Sequence, residues 1–508
     1  MSNQQKPPYG MIAILFVGAF VSFLNNTLMN VALPTIMTDF DVTYSQVQWL
    51  STGYMLVSGV LIPASAFFVV RFKNRHLFIA AMSIFTIGTI IAAAAPNFSV
   101  LIAGRMVQAA GSAAMSPLLM NVMLVSFPAE KRGSAMGIFG LVMIAAPAIG
   151  PTLSGYIVEH HSWRMLFEMI IPFAVLSLLF GIWKLKNVMD TRKVSLDYLS
   201  LVFSTIGFGG LLYGFSSAGD KGWSDPLVYG TITIGAIALI IFIFKQLRME
   251  EPLLDLRIYK YPMFALASII SAVVSVAMFS GMILTPAYVQ QVRGISPFHA
   301  GLMMLPGAIV MAFMSPITGK LFDKFGPRIL AFIGLTITTV ATYFLTKLEV
   351  DSSYTYIITV YTVRMFGMSM VMMPIMTNGL NSLPMLKNPH GTAINNTVQQ
   401  VSGAIGTAIL VTVMNNHIKS SATELAAEAK AKAVKAAKKA AEAGITPSSP
   451  TAEQLAKLKA QITQTALLDG INYTFMVATI ISAVALVLSI FLKRVRVDKI
   501  NKPEMEQK

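Results

Sequence analysis

The sequence contains no cysteine, which excludes a disulfide framework, a redox-active thiol pair and any thiolate metal site. Charge is scarce as well. Asp, Glu, Lys and Arg make up 12% of the 508 residues, against about 25% in an average soluble domain, so most of the surface has to face something other than water. Histidine is thin, six residues scattered mostly through loops, and no metal-ligand cluster is expected. No nucleophile motif, Walker-type sequence or phosphate-binding glycine loop is present either. These gaps argue against an enzyme, against ATP use, and against a resident cofactor or metal. A net charge of +15 suits nucleic acid where basic residues interleave with aromatics. Here the Lys and Arg fall instead in alternate loops between apolar segments, a pattern that sets membrane orientation.

What is abundant is hydrophobic sequence, 55% of the chain. Fourteen apolar stretches, each about long enough to cross a bilayer, are predicted as helices near 10–34, 46–70, 76–95, 99–126, 134–158, 165–186, 197–217, 226–245, 262–288, 298–321, 328–347, 354–377, 391–416 and 470–492. The first is too long and too poorly flanked for a cleavable signal peptide, so it stays as helix 1. With the N-terminus in the cytoplasm, the inside loops carry Arg71, Lys73, Arg75, Lys131, Arg132, Lys184, Lys186, Arg192, Lys193, Lys245, Arg248, Arg257, Lys260, Lys320, Lys324, Arg328, Lys493, Arg494 and Arg496. The outside loops are short and carry Asp39, Asp41, Asp220, Asp225, Glu349 and Asp351. An even helix count with both termini inside a cytoplasmic membrane follows. Thirty-three methionines supply flexible, polarizable side chains for lipid-facing packing or for a cavity that accepts many shapes.

The two halves repeat each other. Pro63-Ala-Ser-Ala66, ending in Arg71-Phe72-Lys73-Asn74-Arg75, recurs 253 positions on as Pro316-Ile-Thr-Gly319, ending in Lys324-Phe325-Gly326-Pro327-Arg328. Arg105-Met106 with Pro117 and Asn121 has its counterpart in Arg364-Met365 with Pro374 and Asn378, and Gly133-Ser-Ala135 in Gly391-Thr-Ala393. Two related bundles around one pathway is a transporter organisation. The predicted division is a six-helix bundle over 9–190, two linker helices over 191–260, and a second six-helix bundle over 261–416 and 469–497. An Ala- and Lys-rich insertion fills 417–468. Ser421 with Glu424, and Thr451 with Gln454, have capping-box spacing, while Gly444 and Pro447 stop a first arm. A solvated extracellular helical hairpin is expected there, either a surface appendage, a cap over the outer mouth or a cell-envelope contact.

Several motifs resemble the major facilitator superfamily, specifically its fourteen-helix drug:proton antiporter branch. Helix 1 has Leu24-Asn25-Asn26-Thr27-Leu28-Met29-Asn30-Val31-Ala32-Leu33-Pro34, helix 4 has Arg105-Met-Val-Gln108-Ala-Ala-Gly111, and helix 5 has Ala146-Pro147-Ala-Ile-Gly150-Pro151-Thr-Leu-Ser-Gly155 followed by Trp163-Arg164. These are similar to the family's L-D-x-T-x-x-N-V-A-L-P, R-x-x-Q-G-x-G and G-P-x-x-G-G signatures. The family's loop G-x-L-x-D-R-x-G-R-R is intact in the second half, with Gly319, Asp323, Gly326 and Arg328. It is eroded in the first, where Ala66, Val70 and Lys73 replace a Gly, the Asp and a Gly. The resemblance implies that these loops latch the bundles in one state, and the eroded copy argues against a symmetric latch. It also implies an all-α fold of two six-helix bundles plus two extra helices.

Arg105 lies mid-helix in apolar sequence, where an ionised side chain needs partners or water. By resemblance, Arg105 with Gln108 belongs to the polar network coupling substrate exit to proton entry, and Arg364 takes the repeat-related place. Bonding to carbonyls of kinked neighbours is the structural alternative for both. Pro147 and Pro151 bend helix 5, and small residues at Ala146, Gly150 and Ser154, one turn apart, with Gly155 closing the motif, let another helix approach. That reads as a sliding contact between bundles, with Gly403 and Gly406 in helix 13 as its repeat-related partner, or as static packing. Helix 1 departs from the family, since Asn25 and Asn26 stand where a membrane-embedded carboxylate is common and an amide does not titrate. Glu168 is the candidate proton carrier, with an interface pair to Arg164 as its alternative and Asp469 as a further carboxylate. Asn25, Asn26, Asn30, Asn121, Asn378, Asn395 and Gln399, with Arg364, are candidate cavity lining, interhelical bonding being the alternative for each amide.

The function this supports is proton-coupled efflux of drugs or amphipathic compounds by alternating access. Two rivals stand beside it, a dedicated exporter of an anionic metabolite, favoured by the missing helix 1 acid, and a non-transporting membrane scaffold or receptor using the 417–468 insertion. The expected partners are a small-molecule substrate, protons and the lipid bilayer, with no nucleic acid and a monomeric chain.

Overall fold

The computed structural model describes residues 9–128, 131–189, 191–442 and 452–495. Fourteen helices among them are long and apolar enough to cross a bilayer, and no strand occurs among the described residues. They are α1 (Tyr9–Asp39), α2 (Trp49–Arg71), α3 (Asn74–Ala93), α4 (Phe98–Ser126), α5 (Arg132–His160), α6 (Met165–Lys184) and α7 (Tyr198–Lys221). There follow α8 (Pro226–Arg248), α9 (Pro262–Val292), α10 (Pro297–Phe325), α11 (Pro327–Lys347), α12 (Tyr354–Asn381), α13 (Asn388–Glu442) and α14 (Ala452–Ser489). Helix is the only open-ended answer to apolar sequence in lipid, because each backbone group must be satisfied within its own segment. The ends are capped where polar residues permit. Asn97 accepts from the N–H of Val100 at 3.0 Å and Asp225 from that of Leu227 at 2.8 Å. Gly326 ends α10 at φ 80°, a left-handed conformation that favours glycine, and Pro327 then starts α11.

Two spans predicted as single helices are each interrupted. Helix α4 breaks after Ser112 and resumes at Met115, and α12 breaks after Ser369 and resumes at Met372. The cause is repeated: Pro117 has no N–H to offer the carbonyl of Ala113, and Pro374 none for that of Met370.

Helices α1–α6 and α9–α14 form two six-helix bundles, which meet along two seams where α5 packs on α10 and α2 on α13. Glycine makes the first seam close: Gly133 lies against Gly319, and Gly137 against Ser315 and Pro316. The linker helices α7 and α8 pair through Gly207, Gly210 and Gly235. Helix α7 rests on both α2 and α13, so the linker pair covers the second seam and leaves the first uncovered.

The insertion differs from expectation. Helix α13 runs unbroken for 55 residues, about 80 Å at 1.5 Å per residue, well beyond a hydrocarbon layer of about 30 Å. No capping box forms at Ser421. It lies mid-helix, and its hydroxyl donates to Asp469 Oδ2 at 2.7 Å, while His417 stacks on Tyr473 with ring centroids 4.2 Å apart. The projecting ends of α13 and α14 are thus continuations of membrane helices. Gly444, Pro447 and Thr451 lie outside the described residues.

Candidate functional site

Arg105 is buried on α4 and fastens three helices. Its Nε donates to the Leu50 carbonyl of α2 at 3.3 Å and its Nη1 to Gln108 Oε1 at 3.0 Å. Gln108 Nε2 in turn donates to Thr89 Oγ1 of α3 at 2.8 Å. The guanidinium lies 4.4 Å from the Tyr54 ring centroid, and the Tyr54 hydroxyl donates to Ser112 Oγ at 2.6 Å. Arg364 does the same in the second half, donating from Nε to Thr342 Oγ1 of α11 at 3.1 Å and from Nη2 to the Ala277 carbonyl and Ser280 Oγ of α9. Each guanidinium keeps one nitrogen without a protein partner, Nη2 of Arg105 and Nη1 of Arg364. Among the described residues the only buried carboxylate is Asp255, still 8% exposed, which sits in the connector between α8 and α9.

The ends of the bundles carrying Arg71, Lys131, Lys324 and Arg494, called the basic end, are fastened across the α5–α10 seam. Asp323 accepts from the N–H groups of Gly133 and Ser134 at 2.9 Å each and from Ser134 Oγ at 2.7 Å. A carboxylate at a helix start satisfies donors that have no intrahelical partner and meets the positive end of the helix dipole. Ser315 Oγ donates to the Gly137 carbonyl at 2.8 Å, and Arg132 Nη1 to Asn381 Oδ1 at 3.2 Å. Arg328 is exposed. Its expected place beside the loop is taken by Arg494, which donates to the carbonyls of Asp323 and Lys324 at 2.6 and 3.1 Å.

The second seam lacks this arrangement. Val70 stands where Asp323 does, and Thr392, the counterpart of Ser134, has a buried hydroxyl without a partner. The connectors bind that region instead. The N–H of Arg192 donates to the Val70 carbonyl at 3.0 Å, Lys387 Nζ to Asp255 Oδ2 at 3.0 Å, and the N–H of Asp255 to His390 Nδ1 at 3.1 Å. Burial raises the Asp255 pKa, but the Lys387 hydrogen bond and charge outweigh it and hold the carboxyl below its usual value. A depressed carboxyl stabilises the fold above its unfolded pKa, and that contribution disappears as pH falls through the folded value. Asp255→Asn should therefore melt earlier than wild type at neutral pH, by about 1 kcal/mol given the partly open lysine. The gap should close below about pH 4; thermal melts of both proteins from pH 7 to 3 check this, and a constant gap contradicts it.

The remaining candidates are dispersed. Asn25 and Asn395 are buried, each with an Nδ2 lacking a partner, and Asn26 is partly buried. Gln399 borders a small cavity with Ser271, Ser275 and Met372. Asn121 donates to the Pro117 carbonyl of its own helix at 2.8 Å, serving the α4 break. Asn378 holds the chain after α14 through the Lys493 carbonyl at 3.1 Å and the Val495 N–H at 3.2 Å. The side chains of Asn30 and Pro151 lie outside the described residues, and Pro147 is partly buried in α5. Gly155 faces Phe298 of α10, but Gly150 faces Thr27 of α1, and Gly403 and Gly406 face Phe279 and Val276 of α9, each within its own bundle.

Glu168 is exposed at the start of α6, away from Arg105 and Gln108. Arg164 pairs with Asp39 at 3.1 Å rather than with Glu168. Hydrogen bonds from Trp163 and Arg164 hold the Asp39 carboxyl below its usual pKa. Sequence reasoning missed Tyr54, Thr89 and the serines of α9. Ser268, Ser271 and Ser275 recur at helical spacing on an apolar segment, and that was the available signal.

A sequence profile of the Major Facilitator Superfamily matches residues 15–407. The uncharacterized MFS-type transporter YhcA of Bacillus subtilis (strain 168) is 46% identical, the alignment covering 99% of this chain and 96% of that protein. The lincomycin resistance protein LmrB of the same organism is 42% identical over 98% of each. LmrB of Listeria monocytogenes is 45% identical over 81% of this chain and 88% of its own. Among solved structures, the human organic anion transporter MFSD10 superposes with a TM-score of 0.62 at 12% identity, covering 94% of this chain and 100% of that one. The proton:xylose symporter XylE gives 0.61 at 12% identity over 96% of each.

Proposed function

Because the chain belongs to the major facilitator superfamily, we propose that it expels drug-like or amphipathic compounds across the cytoplasmic membrane by alternating access, in exchange for protons. The observation that carries this reading is the α5–α10 seam, fastened at the basic end by hydrogen bonds from one helix start to a single carboxylate. Such a seal breaks and reforms as a unit while the bundles stay intact. The lincomycin-resistance relatives at 42–45% identity support efflux and this substrate class. With the basic end in the cytoplasm, both termini lie inside and the extended ends of α13 and α14 project outside.

Arg105 and Gln108 are proposed to relay conformational change within the first bundle. They do not carry the proton themselves, since arginine stays charged at any working pH. The carrier has to be a carboxylate reached from the path. Glu168 and Asp323 are the two to test, with purified protein in liposomes, an imposed pH gradient, and a panel of neutral, cationic and anionic compounds. The expected result is substrate-dependent proton movement in wild type that is abolished in either Glu168→Gln or Asp323→Asn. Substrate flux with no proton movement at any gradient would refute exchange.

A second reading, export of an acidic amphiphile, is favoured by two buried arginines and no fully buried carboxylate in the described membrane helices. The same panel separates the two, since robust efflux of cationic dyes counts against the acidic cargo.

A further inference from the structure

Between the paired linker helices and the second bundle lies a crevice of about 560 Å³, walled by Phe208 of α7, Phe242 and Ile243 of α8, and Ile394, Val398 and Val401 of α13. Its lining is apolar apart from Thr397, Ser402 and Tyr259. The Thr397 hydroxyl on its wall already donates to the Ala393 carbonyl at 2.8 Å, and a buried water needs two to four polar partners. The outer face of α8 is exposed apolar side chain, including Ile237, Ile240 and Phe244, so the crevice opens among helices that face hydrocarbon. Along α8 the wall runs from Leu239 to Leu247, about 12 Å of helix.

Charge decides what fills it. At the basic end the crevice is bordered by Leu247 and Tyr259, and next to these in the chain stand Arg248 and Lys260, both exposed. Arg257 closes the corner, its guanidinium donating to the carbonyls of Leu247 and Met249. The acids of the same connector point elsewhere. Glu250, Glu251 and Asp255 line a separate chamber shared with Arg192 and Lys387, so the flank beside the crevice is basic.

We propose that this crevice holds one acyl chain of an anionic phospholipid whose headgroup lies against Arg248 and Lys260. Basic residues at the membrane surface next to a gap between helices are what anionic headgroups select. The lipid completes the wall between the linker pair and α13. The site lies to the side of the bundles' meeting surface and its readout is lipid retention, so it stands or falls independently of the transport reading.

The test uses the purified full chain in detergent, with phosphatidylglycerol and phosphatidylcholine as probes, read by native mass spectrometry and by thermal midpoint. Wild type should retain phosphatidylglycerol in preference to phosphatidylcholine and melt higher in its presence. Val398→Trp and, separately, Ser402→Trp fill the crevice and should lose both effects; two variants keep the result from hanging on one that fails to fold. Arg248→Gln and Lys260→Gln should keep a chain bound but reduce the preference about fivefold for each charge removed. Equal retention of both lipids by wild type, or undiminished retention by both tryptophan variants, overturns the assignment. So does wild type retaining a transported dye in the crevice in place of phospholipid.

Discussion

Asp323→Ala opens the basic end. The carboxylate accepts three hydrogen bonds from the start of α5, and hydrogen bonds to a charged group contribute about 1.5–3 kcal/mol. The closed population should fall about tenfold to a hundredfold relative to the open one. Asp323→Asn keeps one acceptor oxygen but drops the charge, and should fall between wild type and Ala. Gly319→Val should be more severe, because an added Cβ meets the Gly133 carbonyl and backbone cannot move aside as a side chain can. The measurement is clean because the chain has no cysteine: Ser116→Cys, beside Asn396 of the other bundle, becomes the sole thiol. Its labelling rate from the basic side should rise in the order wild type, Asn, Ala, with substrate flux falling in parallel. The reciprocal variant, Val70→Asp, restores an acid at the repeat-related position on the seam where the Thr392 hydroxyl has no partner, and should slow labelling. Unchanged labelling and flux in Asp323→Ala would remove the latch from the mechanism.

Arg105→Ala should abolish transport in protein that still reaches the membrane. The substitution deletes the link from α4 to the Leu50 carbonyl, leaves Gln108 Oε1 without its donor and uncovers the Tyr54 ring. Arg105→Lys restores charge but not the planar fork that reaches two helices at once, and should recover little. Tyr54→Phe removes the hydroxyl's hydrogen bonds with Ser112 and Ser22 but keeps the ring under the guanidinium, and should be mild. A double-mutant cycle between Arg105 and Gln108 should return a coupling of about 1–3 kcal/mol in thermal stability. Wild-type flux in Arg105→Ala, with expression and melting confirmed, refutes the relay, and a zero coupling refutes the network.

The sequence carried the site unevenly. The acid of the proposed latch was legible because Gly319, Asp323 and Gly326 are a local pattern whose chemistry, a tight turn plus an acid, works within a few residues. Its partner was not, since a helix start nearly two hundred positions earlier leaves no mark beside Asp323. Glu168 and Asn378 are polar residues on apolar segments. Periodicity says that such a residue sits on a helix, yet it does not fix depth or neighbour, and one proves exposed while the other holds the tail after α14. The capping-box reading at Ser421 had a visible counter-signal, as neither Gly nor Pro occurs between Thr407 and Glu442, and nothing there stops a helix of strong formers.

By itself the sequence determined the fourteen spans, the repeat, the prolines behind two breaks in spans it predicts as continuous, and the loss of the acid from one of the two repeated loops. Each follows from a local cause: bilayer thickness sets span length, a missing N–H breaks a helix, and a lost acid removes an acceptor. Only the tertiary structure decided what Arg105 and Arg364 bind, that Gly150, Gly403 and Gly406 pack inside their own bundles, and that α7 covers the seam whose acid is gone. A helix presents several faces of similar apolarity to lipid and protein alike. Which face meets which neighbour is set by shape fit among helices far apart in the chain.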